Sequence, residues 1–225
     1  KRCLDRGMKA TLFALFVALL MVGCGEPDLS DPDVVDWSKL EDRDGVAYLP
    51  NEETPYTGRA ESFYENGQKK GEGNFKDGKR DGLWTTWHEN GQKRDEITWK
   101  EDKPNGLATE WYENGQKKRE VNNKDGLKDG LFTEWYENGQ KAGEGSNKDG
   151  KPDGLYTLWY ENGQKSGEGT YKEGKLVTVV QWKFNGEKCP VTNIDEDGNG
   201  VWVLYNDDGT ERFRYTYKNG ERVKD

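Results

Sequence analysis

The sequence predicts an all-β fold: tandem β-hairpins joined into an elongated, single-layer antiparallel meander. Three observations carry that expectation. The motif Glu-Asn-Gly-Gln-Lys recurs at 65–69, 89–93, 113–117, 137–141 and 161–165, always 24 residues apart. Between its copies, apolar and polar residues alternate with the period of two that a strand imposes on its side chains. Asn-Gly and Asp-Gly pairs punctuate that alternation at the spacing of hairpin turns.

Composition agrees with a turn-rich β protein that has a thin core. Only 31% of the 225 residues are hydrophobic and 34% are charged, a balance that taken alone suggests disorder. Nine Trp, eleven Tyr and seven Phe oppose that reading, and 29 glycines fit a chain with many turns. The formal net charge is −9, and would be −12 without residues 1–23. An acidic body excludes nucleic acid as the expected partner, since phosphate contacts need Lys and Arg. It also disfavours adsorption on an anionic bilayer.

The first residues read as an address. Met8-Lys9 has the character of a true start, and the apolar run at 10–22 is too short to span a bilayer but suits a signal peptide. Met21-Val22-Gly23-Cys24 closes that run and resembles a bacterial lipobox, with Met21 where Leu is more usual. The resemblance implies cleavage before Cys24 and diacylglycerol attachment to its sulfur. The alternative is an ordinary secretory signal with an incidental cysteine. Gly25 after the cysteine favours the outer membrane of a Gram-negative host. The expected organisation is a signal peptide at 1–23, an acidic flexible tether at 24–50, repeats at 51–175, and degenerate repeats with a C-terminal cap at 176–225. The expected location is the bacterial cell envelope, held by the lipid anchor alone.

Within the repeats, Leu83, Leu107, Leu131 and Leu155 form one column, as do Thr85, Thr109, Thr133 and Thr157. Trp87, Trp111, Trp135 and Trp159 form another, and Glu72, Glu96, Glu120, Glu144 and Glu168 a fourth. Each unit reads as strand, Glu-Asn-Gly turn, return strand, Asp-Gly turn. A three-residue turn pairing His88 with Gln92 sorts the faces better than a two-residue Asn-Gly turn. It predicts that Leu83, Thr85 and Trp87 share an apolar face with Ile97, Trp99, Gly71, Gly73 and Phe75. The tryptophans should then lie over neighbouring glycines, and Tyr112 and Tyr136 should project from the opposite, polar face.

Gly71-Glu-Gly-Asn-Phe-Lys-Asp-Gly-Lys-Arg-Asp-Gly82 followed by Trp84 and Trp87, and Gly167-Glu-Gly-Thr-Tyr-Lys-Glu-Gly-Lys175, resemble the MORN repeat, especially its bacterial variant. The third unit departs with Arg119-Glu-Val-Asn-Asn-Lys124. The resemblance implies a β-hairpin ladder used for protein or membrane attachment, and some bacterial members carry an antitoxin label. Beyond 175 the repeat degrades, though Asn185-Gly186 and Asp208-Gly209 look like further turns and 176–182 is the most β-prone stretch.

No catalytic constellation stands out, so the chain is read as a non-enzyme with no cofactor and no metal. His88 is the single histidine, and Tyr112, Tyr136 and Tyr160 hold its position in sister units, which reads as a solvated strand site. The glutamate column reads as cross-strand charge pairing. Asp195-Glu-Asp197-Gly198-Asn199 opens like an EF-hand loop but has Asn206 at the twelfth position, so a turn equivalent to 148–154 is preferred. Cys189 reads as a buried small hydrophobe, with an intermolecular disulfide in an oxidising compartment as the alternative. The expected binding face consists of Trp87, Trp111, Trp135 and Trp159, with Thr109 and Thr133 as accessible polar positions beside them. Its expected partner is an unidentified protein, with a toxin among the candidates. The alternative is a cell-wall or glycan module that stacks sugars or encloses cations on the aromatic rows.

Overall fold

The computed structural model describes residues 34–206 and 208–223. Five hairpins form one continuous antiparallel meander. Their strands are Gly58–Phe63 with Lys69–Lys76, Gly82–Trp87 with Lys93–Lys100, Lys103–Trp111 with Lys117–Lys124, Leu127–Trp135 with Lys141–Lys148, and Gly154–Trp159 with Lys165–Lys172. We call these repeats 1 to 5, each with an outgoing and a return strand. Val34–Asp36 pairs in parallel at one end of the sheet, and Lys175–Gln181 closes the other.

The intra-repeat turn has the three-residue form that the sequence suggests. His88 N donates to Gln92 O at 2.8 Å and Gly91 N to His88 O at 2.9 Å, and the other four repeats share the pattern. Gly91 sits at φ 81°, a left-handed conformation in which a Cβ would be strained. Asn90 Oδ1 accepts from Gln92 N at 3.0 Å and locks the turn from within. The further turns at Asn185-Gly186 and Asp208-Gly209 have the same geometry. So does Glu196-Asp197-Gly198, closed by Asp195 and Asn199, and it therefore corresponds to the intra-repeat turn and not to 148–154.

The faces differ from the sequence expectation, and a bulge is the reason. Trp87 pairs with Lys93, but Thr86 pairs with Asp95, so Arg94 has no opposite residue. One unopposed residue reverses the facing of everything beyond it in the return strand. Every repeat carries the same shift. Ile97 and Trp99 therefore share a face with Trp84, not with Leu83, Thr85 and Trp87. A row of directly paired residues runs along this inner face: Trp84, Ile97, Ala108, Val121 and Phe132. Gly73 and Gly145 continue it, and aromatics do lie over these glycines, but they are Trp84, Phe132 and Tyr156. A Cβ on Gly145 would stand 2.8 Å from both Phe132 and Tyr156.

The inner face is covered at both ends, so the single-layer expectation holds for the middle only. Residues 34–50, expected as part of a solvated tether, are folded. Trp37 meets Trp84 edge-on at 4.9 Å, and Val35, Leu40, Ala47 and Leu49 pack on a cluster of Tyr56, Ala60, Phe75 and Trp84. The apolar residues scattered among the acids of this segment are enough to close one end. At the other end Asn193–Ile194, Gly200–Tyr205, Glu211–Lys218 and Glu221–Arg222 form a separate sheet. Its Trp202 and Tyr217 pack on Leu176, and Trp202 Nε1 donates to Gln181 Oε1 at 2.8 Å.

Candidate binding face

The outer face is built from three rows per repeat. Nearest the two-residue turns lie Leu83, Leu107, Leu131 and Leu155, which pair with Thr98, Asn122, Ser146 and Thr170. These leucines are 52, 48, 68 and 52% exposed. Next comes a row in which threonine and glutamate alternate across the sheet: Thr85, Glu96, Thr109, Glu120, Thr133, Glu144, Thr157, Glu168. Nearest the three-residue turns lie Trp87, Trp111, Trp135 and Trp159, all half-buried.

The bulge creates the electrostatics of this face. Lys93 and Glu96 are three residues apart, which in a regular strand puts them on opposite faces. With Arg94 bulged they meet at 2.5 Å, and Lys117–Glu120, Lys141–Glu144 and Lys165–Glu168 repeat the pair at 2.5–2.6 Å. The same ammonium groups lie over the tryptophan of the following unit. Lys93 Nζ is 5.6 Å from the Trp111 ring centroid, and Lys69, Lys117 and Lys141 stand 5.8–5.9 Å from Trp87, Trp135 and Trp159. In repeat 1, Lys69 bridges Glu61 and Glu72, and Arg59 also reaches Glu72 at 2.8 Å. Burial pushes the Glu72 carboxyl up, but the hydrogen bonds from Lys69 and Arg59 prevail and hold it below the ordinary range.

The structure brings Trp87, Trp111, Trp135, Trp159, Thr109 and Thr133 onto one face, as the sequence suggested for these six. Two details change. This face is the ion-paired outer one and not the core face. Thr109 is only 6% exposed, wedged between Glu96 and Glu120, so it is not an accessible position; Thr133 is half-buried. The exposed leucine row stands on this face beside the tryptophans, although the sequence reading names only tryptophans and threonines as its binding residues. Cys24 lies outside the described residues.

Tyr112 and Tyr136 do leave the outer face, but they are not solvated. Tyr112 Oη donates to Trp135 O at 2.8 Å and Tyr136 Oη to Trp159 O at 2.7 Å, linking each repeat to the next. His88 fills the equivalent place, with Nε2 3.0 Å from Trp111 O, so the carbonyl requires a proton on Nε2. The single histidine is thus a structural bridge. Among the described residues no group of three or more His, Cys, Asp or Glu could hold a metal, and no helix is long and apolar enough to cross a membrane. Cys189 is buried with Sγ 2.9 Å from Tyr205 Oη.

A family model described as the MORN repeat variant matches five stretches, at 56–77, 80–101, 104–125, 128–148 and 152–173. These are MORN-variant repeats. Their boundaries fall at the two-residue turns, which are Asp-Gly or Glu-Gly except for Glu101-Asp102, so one family repeat is one outgoing strand, one three-residue turn and one return strand. MORN repeats are in general protein- or membrane-binding modules, and the family is a non-catalytic scaffold. No curated protein matches the chain.

Proposed function

We propose that this chain is a non-catalytic scaffold, anchored in a bacterial envelope through lipid on Cys24, whose outer MORN-repeat face binds a partner protein. The observation that carries the binding role is the leucine row. Four leucines about half exposed or more recur two strands apart along one face, alternating with Thr98, Asn122, Ser146 and Thr170, and this regular set of exposed apolar side chains supports an interface there. Both of the chain's own covers lie on the other face. The adjacent Lys–Glu pairs are internally neutralised, so this face offers apolar contact with a polar border, the usual anatomy of a protein interface.

The glycan alternative fits less well. Sugar stacking and cation cages need open indole faces, whereas each tryptophan here already lies under a lysine ammonium. The anchor rests on Gly23-Cys24 following the apolar run. An antitoxin- or immunity-like role is the specific form of partner binding that the family resemblance suggests.

The test replaces Leu107 and Leu131 together by Glu. Both are exposed, so the melting temperature should stay within about 2 °C, since surface changes of this kind alter stability by roughly 0.5 kcal/mol. Saturable capture of one envelope protein by the chain should be lost. Capture that survives the double variant, or transfers to isolated wall polymer, would refute the assignment. Labelled fatty acid should enter the wild type and not Cys24→Ser.

A further inference from the structure

Six Asn-Gly pairs occupy three-residue turns along one edge of the main sheet, and their geometry is alike in all but one respect. Asn66, Asn90, Asn114, Asn138, Asn162 and Asn185 are all exposed, and the glycine after each lies at φ 80–82°. In each turn Asn Oδ1 accepts the amide N–H two residues on, at 2.9–3.0 Å. The glycine N–H donates to the carbonyl three residues back in all six. Five of them stand in the same pentapeptide, Glu-Asn-Gly-Gln-Lys.

The difference is the side-chain amide nitrogen. Asn90 Nδ2 donates to Glu113 O at 2.7 Å, Asn114 Nδ2 to Glu137 O at 2.9 Å and Asn138 Nδ2 to Glu161 O at 3.0 Å. Each of these three amides is pinned through both of its atoms and ties its own turn to the next. Asn66 Nδ2 reaches only Gln68 Oε1, at 3.5 Å, beyond the range of a good hydrogen bond. Among the described residues, Asn162 and Asn185 are held through Oδ1 alone. The turn after Asn162 comes one residue early, with Gly186 23 residues beyond Gly163 where the repeats keep 24. Asn185 follows the last strand of the main sheet, where the row of turns ends.

An Asn-Gly pair can react with itself. The glycine nitrogen, once its proton is lost to solvent base, attacks Asn Cγ. The N–Cγ bond forms, the Cγ–Nδ2 bond breaks and ammonia leaves. Water then opens the cyclic imide: cleavage at Cγ gives aspartate, and cleavage at the main-chain carbonyl gives isoaspartate. The attack requires Cγ to swing off its rotamer toward the glycine nitrogen, so a second anchor on Nδ2 opposes it.

We propose that Asn66, Asn162 and Asn185 are self-modification sites, deamidating through the cyclic imide while Asn90, Asn114 and Asn138 are protected. The turn accepts the aspartate product. Asp208 holds the equivalent place in the C-terminal sheet, and its Oδ1 accepts from Thr210 N at 2.8 Å. At Asn90, Asn114 and Asn138 a carboxylate would instead face the carbonyl oxygen that the amide now serves. These turns lie at the edge of the sheet, so the proposal stands independently of the leucine row.

The test incubates the full chain at mildly alkaline pH, folded and in urea, and follows the six sites by peptide mapping with mass spectrometry. In the folded chain Asn66, Asn162 and Asn185 should convert at least threefold faster than Asn90, Asn114 and Asn138. In urea the five sites within the shared pentapeptide should converge on one rate. Equal rates in the folded chain, including no conversion at any site, would overturn the proposal. So would a folded-state order that persists in urea, because it could not come from the bonds of the turn. Asn162→Asp should leave the melting temperature unchanged. Asn114→Asp should lower it by about 2–4 °C, the value of one hydrogen bond in a body of this size. Equal losses in the two variants would overturn the role given to Nδ2.

Discussion

Replacing Gly73 by Ala is the sharpest perturbation of the packing. Its backbone is ordinary extended strand, so alanine there meets no conformational penalty. The added Cβ would fall within the Trp84 indole, against Cδ2, Cε2 and Cγ. That ring cannot easily give way. Phe75 holds it edge-on at 5.1 Å, Trp37 at 4.9 Å, and Nε1 donates to Asn74 O at 3.0 Å. Overpacking of this kind costs about 1–3 kcal/mol, against a gain of roughly 0.5 kcal/mol from removing glycine's unfolded-state freedom. The expected net loss is about 1.5 kcal/mol, or roughly 3–6 °C in melting temperature for a body of this size. Gly143→Ala is the control. There the Cβ would meet Leu158 Cδ2 at 3.3 Å, the movable end of a side chain, and nothing else closer than 3.8 Å. That variant should be neutral or slightly stabilised. Because repeats unfold by nearest-neighbour terms, denaturant unfolding should be paired with hydrogen exchange resolved by strand. Exchange in Gly73→Ala should accelerate around repeats 1 and 2. A neutral Gly73→Ala beside a costly Gly143→Ala would refute the assignment of Trp84 to the core face.

Two further predictions concern hydroxyl groups. Tyr112→Phe removes the bond to Trp135 O and should destabilise by about 0.5–1.5 kcal/mol, with faster exchange at the junction of repeats 3 and 4. Burial pushes the Tyr156 phenol up to about 12, above the value near 10 of an unfolded chain. Its contribution is therefore intact below pH 10 and is lost as pH rises through about 12. The fall in melting temperature between pH 10 and 12 should be shallower in Tyr156→Phe than in the wild type.

Much of this architecture is legible in the sequence. The 24-residue period, the alternation and the Asn-Gly turns specify the ladder, and the three-residue turn follows from sorting faces. What escapes is local and small. One unopposed residue per return strand, Arg94 in repeat 2, reverses the facing of Glu96, Ile97 and Trp99 without altering the period. The signal was present in the five-fold Lys-x-x-Glu spacing from Lys69/Glu72 to Lys165/Glu168, which makes an ion pair in a strand only across a bulge. The two covers escape for a different reason. Trp37 and Trp202 reach their sites through contacts distant in sequence, which no periodicity encodes. Acids and prolines around Val34, Val35 and Leu40 give that segment the composition of a tether, although a few apolar residues suffice to fold it onto the sheet.

The ladder gathers its buried apolar row on the inner face, covered at both ends, and presents the leucine row on the outer face for binding. Cysteines introduced singly at Leu107, Leu131 and Val121 test this arrangement directly, in a chain with Cys3 and Cys24 replaced by serine and Cys189 left buried. Leu107 and Leu131 are 48 and 68% exposed, whereas Val121 is 8% exposed. Maleimide labelling should be fast at Leu107→Cys and Leu131→Cys and slow at Val121→Cys, whose rate should follow local opening. Fast labelling at 121 with protection at 107 and 131 would contradict the account.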